Sequence, residues 1–182
     1  MQGFTPRFFY QPEVMRLPDE KDREMKRNAK GFSLIELLLV VAIIGIIASI
    51  AIPNLLASRR AANEGSAQSS LRTIQSCQLT YQATEGRGDY ADLAALRGEF
   101  LTDQVLGSGT KSGYNFVVTP SAAGTRPALF YATAVPTIPS GAGKTGTRRF
   151  GIAEDGVLHG DGVALTPYAD EAAVKAAPPV GN

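Results

Sequence analysis

The chain has no tryptophan, one cysteine and one histidine in 182 residues. Cys77 alone closes no intrachain disulfide, and with His159 as the sole imidazole no Cys/His zinc cluster can be assembled. The same scarcity removes a Ser/His/Asp triad, because the single histidine lies in the Gly-rich stretch His159-Gly160-Asp161-Gly162. Charge of one sign is also missing in excess. The formal net charge is +1, with seven basic and five acidic side chains in residues 1–31, so the remainder holds 11 basic and 12 acidic ones. No basic surplus points to a nucleic-acid partner. With no catalytic constellation left, neither an enzyme nor a cofactor is expected.

What the chain does have is one long apolar run. Phe32 to Ile52 is 21 residues whose only strongly polar member is Glu36. As a helix it would span about 31 Å, close to the roughly 30 Å hydrocarbon thickness of a bilayer. A buried core helix fits poorly, because so small a domain cannot surround a helix that is apolar on every side. Membrane insertion is therefore expected, and the run is too long and too badly flanked for an ordinary signal peptide. Pro53-Asn54-Leu55-Leu56 follows it where an A-x-A-like cleavage site would stand. Lys26, Arg27 and Lys30 on the N-terminal flank, against Arg59, Arg60 and Arg72 beyond the run, give only a slight bias toward a cytoplasmic N-terminus.

The segment "KGFSLIELLLVVAIIGIIASIAIPNLLASR" closely resembles the N-terminus of the type IV pilins and type II secretion pseudopilins, which carry class III signal peptides. The likeness covers roughly residues 26–60. Basic residues, Gly31, Phe32, Glu36 four positions later, the apolar run and Pro53 all fall where that family has them. The resemblance implies cleavage by a prepilin peptidase between Gly31 and Phe32 and N-methylation of Phe32. It also implies a single-pass subunit of the cytoplasmic membrane, N-terminus inside, that a membrane assembly platform moves into a helical filament of identical or related subunits. That filament would be a cell-surface pilus or a periplasmic pseudopilus. The 31-residue leader is longer than is common in the family. Lys21-Asp22-Arg23-Glu24 can be encoded by a ribosome-binding sequence ahead of Met25, so translation is expected to begin at Met25, with a genuine long leader as the alternative.

Gly45 and Ser49 lie four apart on one helical face, with Ala42 and Ala48 nearby. Such spacing lets helices approach closely in lipid, although small residues are common in membrane helices anyway. The resemblance favours packing between subunits. Pro53 removes a helical hydrogen bond and should kink the helix. Glu36 would cost about 2.5–3.5 kcal/mol at the centre of a bilayer and less near an end, where it can snorkel outward. Cleavage at Gly31 would create an ammonium on Phe32, and a neighbouring subunit's amine could then neutralise Glu36 in a packed bundle.

Beyond Pro53, Leu71, Ile74, Cys77 and Tyr81 form a stripe that reads as an amphipathic continuation, one helix from Phe32 to about Thr84. Residues 1–31 are then leader, 32–53 the membrane and assembly half of the helix, 54–85 its amphipathic half, and 86–182 a globular head. In the head, "DYADLAAL" predicts a short helix capped by Asp89. Strands are predicted at 113–119, 128–135 and 148–158, the last with a turn at Asp155-Gly156. A terminal helix is expected with Thr166 as N-cap and Pro167 at its first position. The expected class is α+β, a pilin-like long helix packed on a small antiparallel sheet.

"SGAGKTGT" (140–147) looks like half a phosphate loop, but Ile138 stands where the earlier glycine is needed. Asp155 and Asp161 are weak calcium candidates without EF-hand spacing, and solvated turn carboxylates are the default. Two functions remain close, a type IV pilus subunit and a secretion pseudopilin. A membrane-tethered binding module that never polymerises is the third.

Overall fold

A computed structural model describes residues 31–122, 124–162 and 166–181, and the chain divides into two units between Ile47 and Ala48. Lys26, Arg27 and Lys30 of the expected leader, and Met25, the expected start, lie outside the described residues. Helix α1 (Leu34–Ala83, 50 residues) runs from the first unit into the second and carries Pro53 inside it without interruption.

The second unit is built on the C-terminal half of α1. Its buried positions, Glu64, Ala67, Ser70, Leu71, Ile74 and Gln78, recur at three- and four-residue intervals and mark one face. Leu71 and Ile74 are fully buried as expected, whereas Cys77 and Tyr81 lie at the margin and are partly buried. Tyr81 meets Phe100 edge to face at 5.3 Å.

After α1 come α2 (Leu93–Leu96) and α3 (Gln104–Gly107), then five antiparallel strands in sequence order: β1 (Thr110–Lys111), β2 (Tyr114–Pro120), β3 (Phe130–Pro136), β4 (Arg149–Ala153) and β5 (Leu158–Asp161). Helix α4 (Glu171–Ala176) follows. The architecture is α+β, a long N-terminal helix on an antiparallel sheet. The strand predicted at 148–158 is a hairpin, broken at Glu154–Val157, where Asp155 accepts the Val157 N–H at 3.0 Å and Gly156 has φ 75°. The β1–β2 hairpin uses Ser112-Gly113, both at positive φ (48° and 72°), the two-residue turn that matches strand twist.

Alternation along β4 sorts the core into two layers. Phe150 and Ile152 face the α1 side with Phe130, Tyr114 and Leu158, while Gly151 and Ala153 face Tyr168 and Val174 under α4. The tail extends the sheet edge, with the Val180 N–H donating to Leu158 O at 2.7 Å and that of Gly160 to Pro178 O at 3.0 Å.

Two predicted caps move. Asp92, not Asp89, caps α2 by accepting the Ala95 N–H at 2.8 Å. Asp89 instead takes the guanidinium of Arg126 and the Gly124 N–H, a long-range pair that outcompetes local capping. Likewise Asp170, not Thr166, caps α4 by accepting the Ala173 N–H at 2.7 Å. Pro167 stands outside that helix, and the Thr166 carbonyl accepts from Arg149.

Candidate assembly site on the N-terminal helix

Gly31 and Phe32 precede α1 in non-helical backbone, and the Leu37 N–H donates to Ser33 O at 3.1 Å, closing the first turn. Phe32 is 79% exposed. Glu36 sits in the first turn and is exposed. A carboxylate at a helix N-terminus is favoured by the helix dipole, so its place is locally comfortable, but among the described residues it has no ion-pair partner. Gly45 is exposed, and a Cβ added there would touch nothing. Ser49 and Pro53 are exposed as well. Among the described residues, Phe32, Glu36, Gly45 and Pro53 all stay exposed to solvent and are not packed into the core of the second unit.

The apolar surface around them is uncovered. Every large apolar side chain from Leu34 to Ile52 is exposed, and the most apolar 18-residue window of α1 has no buried residue. α1 is long and apolar enough to cross a membrane. A contiguous patch of this extent exceeds what water-soluble monomers expose, so lipid or other protein must cover it.

The second unit holds polar features that the sequence reading passed over. Glu64 is 8% exposed. Its Oε1 accepts from the Thr147 N–H (2.8 Å) and hydroxyl (2.7 Å), and its Oε2 from Arg148 Nε at 3.0 Å. Burial pushes the carboxyl pKa up, but the Thr147 and Arg148 hydrogen bonds outweigh it and hold the group below the usual carboxylate range. Asn63 donates to Thr145 O at 2.9 Å, so the loop 137–148 is pinned to α1. That loop includes "SGAGKTGT", which thus has a structural attachment. Gly146 is required there because a Cβ would strike the Tyr114 ring. The signal for Glu64 was its position seven residues before Leu71, on the buried face.

Gln78, fully buried, pairs with both the N–H and the carbonyl of Ala91. Cys77 donates its thiol to Phe100 O at 3.1 Å, and burial raises its pKa, keeping it protonated. Of the calcium candidates, Asp155 serves the β4–β5 turn. Asp161 is held by Arg149 in a forked pair (3.0 and 2.9 Å), with Arg149 stacked 4.0 Å over the Tyr168 ring. Burial and the nearby Asp161 push the Tyr168 hydroxyl up to about 12. The structure commits Asp161 to this cluster, and among the described residues no group of three or more His, Cys, Asp or Glu gathers for a metal.

A family model described as the prokaryotic N-terminal methylation motif matches residues 26–52. Among curated proteins, the type IV wide pilus major component of Thermus thermophilus is 54% identical over 56 residues, 31% of this chain and 43% of its own. The type IV major pilin of Myxococcus xanthus is 40% identical over 65 residues, 36% of this chain and 29% of its own. The type II secretion system core protein G of Dickeya chrysanthemi is 32% identical over 63 residues, 35% of this chain and 41% of its own. The chain thus spans less than half the length of each of these relatives. No solved structure matches it. Residues 26–52 match the prokaryotic N-terminal methylation motif, and over about a third of its length the chain is similar to type IV pilins and to a type II secretion system core protein.

Proposed function

We propose that the chain is a structural subunit of a type IV pilus-like filament. A prepilin peptidase cuts it between Gly31 and Phe32, Phe32 is N-methylated, and the mature subunit polymerises through its N-terminal helix. Before assembly it is held in the cytoplasmic membrane with its N-terminus inside, in contact with lipid and the assembly platform. No catalytic role is part of this reading. The observation that carries it is the wholly uncovered apolar surface from Leu34 to Ile52, joined in sequence to the matched methylation motif. Lipid covers that surface in the free subunit, and neighbouring helices cover it in the filament, with Glu36 meeting the Phe32 amine of another subunit and Gly45 and Ser49 allowing close approach.

A pseudopilin of type II secretion is the second reading, favoured by the similarity to core protein G. A sheared surface fraction tests both: N-methyl-Phe32 at the N-terminus of protein recovered there supports a pilus. Methylated protein confined to the periplasm supports the pseudopilus, and an uncut N-terminus overturns processing altogether. Glu36→Ala separates either filament from a non-polymerising tether. Removing one partner of a buried ion pair costs about 3–5 kcal/mol, so incorporation into sheared filaments should fall at least tenfold. Undiminished incorporation would remove the polymer reading's main support.

A further inference from the structure

Two arginines beside the apolar stretch have no carboxylate to answer them. α1 has no acidic residue between Glu36 and Glu64. Arg59 is exposed and Arg60 half-buried. Glu64 stands four residues after Arg60, the spacing of a helical ion pair, yet both its oxygens are occupied by Thr147 and Arg148. Among the described residues neither Arg59 nor Arg60 has an ion-pair partner.

Their height on the helix says what would answer them. Leu55 is the last large exposed apolar side chain before a long polar stretch, the next being Leu79. Arg59 follows it by four residues, about 6 Å along the axis. The headgroup layer adds roughly 5–7 Å to each side of the hydrocarbon core. Helical side chains tilt toward the N-terminus, and arginine stems lie along apolar surface while the head seeks water. Both guanidiniums therefore reach the depth of the lipid phosphates when the apolar stretch is in a bilayer. Guanidinium is also the side-chain group whose fork matches a phosphate.

We propose that Arg59 and Arg60 form a binding site for anionic phospholipid headgroups, fixing how deep the unassembled subunit sits. The site rests on the membrane reading of α1 and adds to it a lipid preference that insertion alone does not require. Extraction into a filament would then have to break two phosphate contacts as well as move the apolar helix. The committed occupant is lipid phosphate. A carboxylate of a neighbouring subunit is the competing one.

The test uses the full chain reconstituted into phosphatidylcholine vesicles with and without phosphatidylglycerol, with retention of phosphatidylglycerol on the released protein read by native mass spectrometry. Each arginine near an anionic surface should be worth about fivefold, so Arg59→Gln with Arg60→Gln should lower retention about 25-fold. The double Lys variant, which keeps the charge but not the fork, should keep most of it. Added inorganic phosphate should not compete, because a free ion lacks the anchoring at that depth. Flotation of wild type and variants with neutral vesicles should be equal. Equal retention in the Gln variant, or loss of retention on adding phosphate, with flotation intact, overturns the lipid site alone. Failure of the wild type to float with neutral vesicles overturns the membrane reading and this proposal with it.

Discussion

Ile47 and Ile74 belong to the same helix and the same residue type, yet one is 61% exposed and the other fully buried. Around Ile47 the sequence is apolar on every side. Around Ile74 it is striped, with Ser69, Arg72 and Thr73 exposed beside buried Leu71. A helix apolar all round needs a surround that the chain itself does not supply, whereas a striped helix makes its own core with a sheet. Helix propensity is satisfied in both places. What differs is where each segment's hydrophobic free energy is realised, in another molecule or in this one.

The widest way to break this comparison is to make one deletion twice. Ile74→Ala should destabilise the second unit by about 2–5 kcal/mol and lower its Tm by roughly 10 °C, measured by near-UV circular dichroism in detergent. Ile47→Ala should change that Tm by no more than its experimental scatter, since an exposed substitution stays within about ±0.5 kcal/mol. Equal effects would mean that the two stretches are not the separate systems that their burial describes. Next in size, Gln78→Leu fills the fully buried site with an apolar side chain but strands the Ala91 N–H and carbonyl. The cost should be about 1–3 kcal/mol in the same melt.

Local chemistry made much of this legible. The stripe Leu71, Ile74 placed the core face of α1, and the runs "GYNFVVT" (113–119) and "ALFYATAV" (128–135) identified strands to within two residues, because aromatic and β-branched residues between turn formers suit a pleated, half-buried surface. Caps were less legible, since Asp89 and Asp92 are equivalent as local hydrogen-bond acceptors and only the distant Arg126 separates them. The partners of Glu64 were illegible for the same reason on a larger scale, lying 83 and 84 residues away. Gly31, Phe32 and Glu36 stood out because the motif that names them is contiguous. On the proposed reading their partner is a second subunit, and among the described residues Phe32 and Glu36 stay exposed.

Glu64 gives the comparison a pH axis. The second unit is tied to α1 through a carboxylate held below its ordinary range. A group with a lowered folded pKa contributes stability above its unfolded value, about 4.3 for Glu, and loses that contribution as pH falls through the folded value. Glu64→Gln should therefore lower Tm by the equivalent of about 1–2 kcal/mol at neutral pH. The gap to wild type should close below about pH 4. Because Asp89 and Asp103 are also held low, the wild-type acid limb alone is not diagnostic; the difference between the two proteins is. A gap that stayed constant into acid would mean that Glu64 contributes through shape and not through charge.

The smallest effect belongs to the sheet edge farthest in order from β1. Arg149 and Asp161 face each other across β4 and β5, and the guanidinium adds a stack on Tyr168 and a hydrogen bond to Thr166 O at 3.0 Å. One planar group thus joins the β5 edge to the segment leading into α4. Lysine keeps the charge but can supply neither the fork nor the flat stacking face, so Arg149→Lys should cost about 0.5–1 kcal/mol. Hydrogen exchange should show the loss locally, as faster exchange at the α4 amides of residues 173–176, with the Ile74 and Gln78 turns of α1 unchanged. If protection on α1 fell together with that on α4, the two layers of the sheet would be one cooperative unit, and the contrast within this protein would lie only between Ile47 and everything after it.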